Sequence, residues 1–226
     1  MTNKQGAFIT FEGCEGSGKS THIKLLAEHL GCQCCKVVRA LREPGGTTFG
    51  EQMRQSLKNF DYNICGIAEV LAMNASRAQL VEEVIRPALE RGEIVLCDRF
   101  YDSTIAYQGY GRGISLKAID SVINFACDGL KPDLTFFINA KPEQGLRNRW
   151  SASVGITQAE LKGAAQKDRF DEEEIEFHQR VYEGYLKIVQ KEYERFRVIP
   201  YLEGNIMSMQ VKINLMTMDL LNERNL

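Results

Sequence analysis

GCEGSGKST, residues 13–21, lies between an apolar run, AFITFE, and a helical pattern, HIKLLAEHL. Its first eight residues fit the phosphate-loop spacing G-x-x-x-x-G-K-[ST], and the strand before it and the helix after it supply the context that this motif needs. In such a loop the glycines let successive backbone N–H groups surround phosphate oxygens, and the helix N-terminus adds positive charge. We therefore expect Lys19 to reach the outer phosphates of a nucleoside triphosphate and Ser20 to bind Mg²⁺.

The loop alone does not distinguish a kinase from an ATPase or a GTP-dependent switch. A guanine-specific switch usually carries Asn-Lys-x-Asp after a later strand. The only Asn-Lys pair here, Asn3-Lys4, precedes the first predicted strand and lacks the Asp. The sequence therefore weighs against a switch and leaves the kinase and the ATPase open.

Length and composition set the class of protein. The chain has 226 residues, of which 44% are hydrophobic and 26% are charged, and this suits one α/β domain with a sizeable core. The net charge of -2 does not indicate a partner such as nucleic acid. We find no apolar run of about 18 residues and no signal-peptide pattern, so we expect a cytoplasmic protein with no membrane segment.

Apolar runs alternate with helical patterns along the chain, which predicts a parallel sheet with helices on both faces. The predicted strands are AFITFEG, CKVVRALREPGG (running into a loop), GEIVLCD, PDLTFFINA and RVIPY. The predicted helices are 19–30, TTFGEQMRQSL, 67–90 with an interruption near Pro87, ISLKAIDSVINFAC, 171–196 and MSMQVKINLMTMDLL. Residues 147–170 are polar and predict a mobile excursion from the sheet, so residues 1–226 form one predicted domain.

A kinase also needs cations outside the loop, because charge on the transferred phosphoryl group must be screened. Asp98 and Arg99 end the strand GEIVLCD, so both lie at the carboxyl edge of the sheet, where open α/β folds bind ligands. We expect Asp98 to organise Mg²⁺ through water and Arg99 to bridge phosphates. Arg77 lies on a predicted helix, where an arginine more often occupies a solvated face than binds a ligand, so the residues alone favour the solvated face.

Five stretches in fixed order resemble the bacterial thymidylate kinases over roughly residues 6–202. They are GCEGSGKST, REPGGT, SRAQ, DRFYDSTIAYQGYGRG and DRFDEEEIEFHQRVYEGYL. The resemblance implies a P-loop kinase fold: a five-stranded parallel sheet with helices on both faces and a mobile lid at about 147–170. It also implies transfer of the γ-phosphoryl group of ATP to dTMP, giving dTDP, with Mg²⁺ as cofactor and a homodimer as the assembly.

The resemblance also implies roles for single residues. Glu15 occupies the position that faces the deoxyribose 3′-hydroxyl. Arg77 is implied as a ligand of the dTMP phosphate, Glu43 flanks that phosphate, and Arg99 contacts the phosphates of donor and acceptor. The residues implied to read the thymine edge and to exclude a ribose 2′-hydroxyl are Thr104, Tyr107 and Gln108. The residues implied to bind ATP are Gly13, Cys14, Glu15, Gly16, Ser17, Gly18, Lys19, Ser20 and Thr21.

The sequence departs from the family pattern at two places. The phosphate loop has Gly16 after Glu15 and so carries no arginine, which implies that the lid supplies the catalytic cation. The candidates are Arg147, Arg149 and Arg169, and we favour Arg149, followed by Arg147. In addition, Met73 stands where the family often has a phenylalanine that stacks on thymine.

Two alternatives therefore stay open beside a thymidylate kinase. One is another nucleoside monophosphate kinase, for example one that prefers dUMP, because Met73 alters the base site. The other is a nucleotide-dependent binding switch. Outside the site, Cys32, Cys34 and Cys35 lack a second ligand pair at metal-site spacing and are interpreted as reduced thiols, and His178 is interpreted as a core histidine with satisfied hydrogen bonds.

Overall fold

A five-stranded parallel sheet forms the centre of the molecule. The computed structural model describes residues 6–33, 36–59, 63–147 and 173–226. The strands are β1 Ala7–Glu12, β2 Val38–Arg42, β3 Ile94–Asp98, β4 Leu134–Asn139 and β5 Phe196–Pro200. They lie in the order β2-β3-β1-β4-β5, and each neighbouring pair is parallel, which confirms the predicted α/β class.

Helices cover both faces of this sheet. Some begin at clear capping residues: the Thr47 hydroxyl accepts a hydrogen bond from the Gly50 N–H at 2.9 Å at the start of the second helix. The helices are α1 Lys19–Gln33, α2 Thr48–Lys58, α3 Gly66–Leu80, α4 Arg86–Glu90, α5 Tyr101–Thr104, α6 Leu116–Cys127, α7 Ile175–Lys191 and α8 Ile206–Glu223. Residues 142–147 are also helical, and π-helical turns span Val81–Ile85 and Ile105–Gly111.

The core lies on both sides of β1, because successive side chains of a strand point to opposite faces. Ile9 and Phe11 pack into the cluster beneath α1 and α8, whereas Phe8 packs into the cluster beneath α3 and α6. All six residues of β1 are buried. This double burial explains why β1 is apolar with little alternation, as expected for a central parallel strand.

Strand register decides where the phosphate loop lies. Phe11 in β1 is paired with Asp98 in β3, so the loop after β1 and the residues after β3 leave the sheet at the same edge. The Arg99 N–H donates to the Phe11 carbonyl at 3.0 Å and continues this pairing by one residue. Two chain segments that are far apart in sequence therefore meet at the carboxyl edge of the sheet.

The predicted interruption near Pro87 takes the form of a π-helical turn and does not end the helix. Helical structure continues from Gly66 to Glu90, with a π-helical turn at Val81–Ile85 just before Pro87. In a regular helix a proline lacks the backbone N–H, and its ring collides with the carbonyl four residues earlier. The wider turn absorbs that conflict, so the helix is deformed but does not stop.

No element was predicted over 101–111, yet this stretch is helical. It consists of the short helix α5 and the π-helical turn Ile105–Gly111. Its sequence, YDSTIAYQGYG, holds β-branched residues and two glycines, which are weak helix formers. Packing against α7 holds it in place, and Gly111 meets Phe177 so closely that a Cβ there would lie 2.7 Å from the ring.

Across the described ranges, no helix has the length and apolar character needed to span a membrane. Cys32 is exposed and free, whereas Cys34 and Cys35 lie outside the described residues. Among the residues that the structure describes, no three His, Cys, Asp or Glu side chains are grouped so that they could hold a metal ion.

Candidate active site

The phosphate loop connects β1 to α1 and bends sharply at its glycines. Gly16 has φ 66° and Gly18 has φ 94°, conformations that a residue with a side chain rarely adopts. Lys19 lies inside the loop, where its Nζ donates to the carbonyls of Gly13 at 3.0 Å and Cys14 at 2.9 Å. Burial lowers the pKa of this ammonium group, and the neighbouring Arg99 lowers it further. The loop thus holds a buried cation that its own carbonyls solvate.

Ser20 and Asp98, the two predicted Mg²⁺ residues, lie side by side. The Ser20 Oγ donates to Asp98 Oδ2 at 2.5 Å, although the residues are 78 positions apart in sequence. The first is in the first turn of α1 and the second ends β3. A hydroxyl and a carboxylate at this spacing supply the hard oxygen ligands that Mg²⁺ prefers.

Arg99 lies between the phosphate loop and the helical stretch 101–111. Its Nη1 donates to the Gly13 carbonyl at 3.1 Å, and its Nη2 contacts Glu15 Oε1 at 2.6 Å and the Tyr107 hydroxyl at 3.1 Å. Burial opposes its charge, but Glu15, Tyr107, Tyr185 and Glu12 together outweigh that effect and raise the pKa of Arg99 well above its ordinary value. Its backbone φ of 73° is rare for a residue with a side chain and aims the guanidinium at the loop.

Three residues behind Arg99 were not predicted as site residues. Glu12, Ser103 and Tyr185 form a buried polar cluster in which Glu12 Oε2 accepts from the Ser103 hydroxyl at 2.6 Å and the Tyr185 hydroxyl at 2.8 Å. Both hydroxyls also accept from Arg99 Nη1, at 3.0 and 3.1 Å respectively. The sequence held one signal for this cluster: Glu12 is a charged residue at the end of an apolar strand, directly before the phosphate loop.

Arg77 is buried on the inner face of α3, with 2% of its surface exposed. Its Nε donates to Glu43 Oε2 at 2.8 Å, its Nη1 to Asn74 Oδ1 at 2.8 Å and its Nη2 to Thr104 Oγ1 at 3.1 Å. The guanidinium also lies over the Phe100 ring, 5.4 Å from its centre. Arg77 therefore faces the predicted base-reading residue Thr104, and its charge is balanced by Glu43.

The inner face of α3 and the helical stretch 101–111 form two walls of one site. Glu69, Met73 and Arg77 follow each other at four-residue spacing and so share one helix face. Gln108 Nε2 donates to Glu69 Oε2 at 3.2 Å from the opposite wall, and Arg112 Nε donates to the same oxygen at 2.6 Å. Sequence analysis missed Glu69 and Arg112.

The helical turn 142–147 lies directly on the phosphate loop. A Cβ built at Gly145 would lie 1.9 Å from the Glu15 carbonyl oxygen, and one built at Gly16 would lie 1.9 Å from the Gly145 carbonyl oxygen. No side chain fits at either position without movement of the backbone. The turn leads to Arg147, which is exposed, and Arg149 lies outside the described residues.

The family model for thymidylate kinase matches residues 11–206. This chain belongs to the thymidylate kinase family. The thymidylate kinase of Pelodictyon phaeoclathratiforme is 46% identical over 189 residues, covering 83% of this chain and 85% of that relative. That of Geotalea uraniireducens is 44% identical over 200 residues, covering 88% and 91%. The solved structure of thymidylate kinase from Ehrlichia chaffeensis matches with a TM-score of 0.73 at 32% identity, covering 94% of this chain and 98% of that one.

Membership of the thymidylate kinase family confirms the resemblance drawn from the five sequence stretches. The structure brings most of the predicted site residues together around the carboxyl edge of the sheet. Arg149 and Arg169 fall outside the described residues. Of the predicted lid cations, the described residues therefore include Arg147 but not the favoured Arg149.

One structural interpretation needs a correction. His178 is buried on α7, as predicted, with 2% of its surface exposed. Its hydrogen bonds are only partly satisfied, however: it has a backbone hydrogen bond at Glu173, but within the described part of the chain Nε2 has no partner. Burial lowers the pKa of this imidazole, so the neutral form is favoured.

Proposed function

We propose that this chain transfers the γ-phosphoryl group of ATP to dTMP, giving ADP and dTDP. The observation that carries this proposal is the position of Arg99. One guanidinium contacts the phosphate loop at Gly13 and the opposite wall at Tyr107, so a single cation lies where a donor and an acceptor phosphate would meet. Phosphoryl transfer depends chiefly on positioning and on neutralising charge, and this arrangement supplies both.

On the donor side, the loop residues 13–21 are proposed to bind the phosphates of ATP. Lys19 exchanges its contacts with the loop carbonyls for contacts with phosphate oxygens as the nucleotide enters. A buried ammonium group is costly without hydrogen-bond partners. In the empty loop the backbone carbonyls are the partners of Lys19, and in the filled loop the charged phosphate oxygens replace them. Lys19 is thus proposed to stabilise negative charge that develops on the transferred group.

Mg²⁺ is proposed to bind beside the loop through Ser20 and Asp98. Their oxygens are 2.5 Å apart, so one cation with its water shell reaches both. When bound with ATP, the ion supplies charge neutralisation on the phosphates. The protein's own part is to hold the Asp98 carboxylate at the end of β3, against the first turn of α1.

On the acceptor side, Glu15 and Tyr107 are proposed to recognise the sugar. Glu15 Oε1 accepts from both the Tyr107 hydroxyl at 3.1 Å and Arg99, so the carboxylate is fixed in place and faces the proposed 3′-hydroxyl. The Tyr107 ring is buried and packs edge-on against Phe177. We propose that a rigid ring at this point excludes a ribose 2′-hydroxyl and so favours deoxynucleotides.

The base is proposed to lie between the two walls of the site. Met73 packs beside the cluster that contains Tyr107, and it covers one face of the thymine ring. Thr104 and Gln108 read the edge of the base, and Glu43 supports this end of the site through Arg77. A thioether adapts to a ring face, so the edge contacts carry most of the discrimination between bases.

Arg77 is also proposed as an acceptor ligand, and its contacts favour the base end of dTMP. The resemblance implied a phosphate contact, but Glu43 already neutralises this guanidinium, and Thr104 lies within hydrogen-bond distance of it. A paired cation attracts a dianionic phosphate weakly, whereas its N–H groups suit the O4 acceptor of thymine and reject the N4 amino group of cytosine.

The position of Arg77 is testable with Arg77→Gln. If Arg77 reads O4, the ratio of kcat/KM for dTMP to that for dCMP falls at least tenfold in this variant. If Arg77 binds the phosphate, kcat/KM falls by the same factor for both substrates and the ratio is unchanged.

The lid is proposed to supply a further catalytic cation, because the phosphate loop has none of its own beyond Lys19. We keep Arg149 as the first candidate and Arg147 as the second. Arg147 lies two residues after Gly145, which contacts the loop. Loss of kcat in Arg149→Ala but not in Arg147→Ala supports this order, and the reverse result exchanges the two roles.

A homodimer is proposed as the assembly. Ile67 and Leu71 on α3 are 66% and 55% exposed, and Phe125 on α6, a helix packed against α3, is 90% exposed. Apolar side chains on two adjoining helices suit burial by a second copy of the chain. Light scattering should give a dimer for the unmodified chain and a monomer for Phe125→Lys, and a dimer in both cases places the interface elsewhere.

We also propose a cytoplasmic location, where the chain would meet ATP and dTMP. The reaction is tested directly by ADP release with ATP and Mg²⁺ against dTMP, dUMP, dCMP, UMP and no acceptor. Turnover with dTMP well above the others supports the proposal. Equal turnover with all acceptors, or ADP release without one, contradicts it.

A further inference from the structure

Glu12 is a buried carboxylate that has no role in the proposed reaction as described above. It ends β1, directly before the phosphate loop, and none of its surface is exposed. Its Oε1 accepts from the Phe100 N–H at 2.7 Å, and its Oε2 accepts from the hydroxyls of Ser103 and Tyr185 at 2.6 and 2.8 Å. A carboxylate with three donors is fully oriented and has no freedom to act elsewhere.

The two hydroxyls connect Glu12 to Arg99 with a fixed polarity. A hydroxyl has one proton, and the two hydroxyl oxygens also lie 2.9 Å from each other, where either could donate. The charge of an ionised Glu12 makes it the stronger acceptor, so Ser103 and Tyr185 each give their proton to Glu12. Their lone pairs are then left to accept from Arg99 Nη1, at 3.0 and 3.1 Å. Without the carboxylate, either hydroxyl could turn its proton toward the guanidinium, which offers only donors.

Glu12 also holds the backbone that carries Arg99. The Phe100 N–H that binds Glu12 follows Arg99 in the chain, and Arg99 itself has the unusual φ of 73°. One carboxylate therefore fixes both the main chain after Arg99 and the acceptors of its side chain. Side chain and main chain together leave the guanidinium one orientation, toward Gly13 and Glu15.

We propose that Glu12 is a positioning residue for phosphoryl transfer, and that it acts through Ser103 and Tyr185 on Arg99. This inference rests on the proposed function, because Arg99 must serve the reacting phosphates for its orientation to matter. Glu12 touches neither substrate in this proposal. Its effect therefore falls on kcat and leaves the KM values for ATP and dTMP within about twofold.

The test is Glu12→Gln, measured above the pKa of Glu12, which is about 7. The amide keeps the shape of the side chain and the contact to Phe100. Its NH₂ group, however, is a donor where the carboxylate was an acceptor, so the two hydroxyls would have to accept from residue 12 and turn their protons elsewhere. We expect kcat to fall about ten- to hundredfold, because a misaligned catalytic cation loses most of its benefit. Tyr185→Phe removes one of the two hydroxyls, and kcat should fall about three- to tenfold.

A double-mutant cycle with Arg99→Ala separates positioning from general damage. If Glu12 acts through Arg99, Glu12→Gln has no further effect in the Arg99→Ala background, measured with radiolabelled ATP. An undiminished effect in that background, or an unchanged kcat in the single variant, overturns the proposal. If Glu12→Gln does not fold, the same cycle with Tyr185→Phe decides the question.

Thr10→Val is the matched control. Thr10 lies two residues earlier on β1, is fully buried, and exchanges a 2.8 Å hydrogen bond with Thr135 away from Arg99. It should lower the melting temperature without changing kcat. A failure of the proposed function would look different, since the unmodified chain would then show no dTMP-dependent turnover.

Discussion

Replacing Gly145 by alanine should damage the donor half of the site although Gly145 makes no proposed contact with ATP. The added Cβ would lie 1.9 Å from the Glu15 carbonyl oxygen, and contacts under 3.0 Å essentially do not occur. The helical turn 142–147 and the phosphate loop must therefore separate by about 1 Å. A displacement of that size costs on the order of 10² in rate when it moves catalytic groups.

Steady-state kinetics distinguish the effect from a loss of folding. We expect kcat/KM for ATP to fall roughly 10²-fold, which equals about 3 kcal/mol of transition-state stabilisation, while the KM for dTMP changes less than threefold. Alanine forms helices more readily than glycine, so the substitution does not weaken the helical turn 142–147 itself. The loss must then come from the contact with the loop.

Gly31→Ala is the matched control for this prediction. Gly31 lies in α1, and a Cβ there would meet nothing within 4 Å. This variant should keep wild-type kinetics and gain slightly in melting temperature. The reasoning fails if Gly145→Ala stays within twofold of Gly31→Ala in kcat/KM for ATP.

Three further predictions concern the proposed chemistry. Lys19→Ala should lower kcat roughly 10²-fold, whereas the control Lys24→Ala, on the exposed side of α1, should leave kcat unchanged. Equal kcat values in the two variants would show that the loop does not bind the phosphate donor. Asp98→Asn should raise the Mg²⁺ concentration for half-maximal rate about tenfold, and an unchanged Mg²⁺ titration would exclude Asp98 from the metal site. Burial, with Asp102 adding to it, raises the pKa of Glu12 from 4.5 to about 7, so the folded state binds this proton more tightly than the unfolded one and loses stability as pH rises between those values. The melting temperature of Glu12→Gln relative to wild type should therefore be higher at pH 8 than at pH 5, and a constant difference would show that Glu12 does not titrate in this range.

The phosphate loop and the sheet were predictable because their signals are local. A strand, a glycine loop and a helix follow one another within residues 7–33, and each element has a clear sequence pattern. The nearness of Ser20 and Asp98 was also predictable, since the carboxyl ends of parallel strands share one edge of a sheet. For the sheet, the order of the strands had to be learned from the structure.

The acceptor wall was only partly predictable. Arg77 and Gln108 were found through the family resemblance, but the buried glutamate that joins the two walls, Glu69, was not. On α3 it resembles any charged residue of a solvated helix, and its burial follows from how α3 lies against the stretch 101–111. That stretch was itself missed, because glycines and β-branched residues hide its helical character.

The partners of Arg99 show why sequence alone stops short of the mechanism. Tyr185 and Glu12 are 173 positions apart, and they meet because α7 returns across the sheet edge at the end of β1. Along α7, Tyr185 follows the same spacing as the core side chains Phe177, Val181 and Ile188, so periodicity marks its burial but not its hydroxyl. The hydroxyl gains a function only from a carboxylate on another element. Sequence motifs therefore predict the side chains proposed to contact substrates. The side chains that orient those groups come from distant parts of the chain, and only the fold shows which they are.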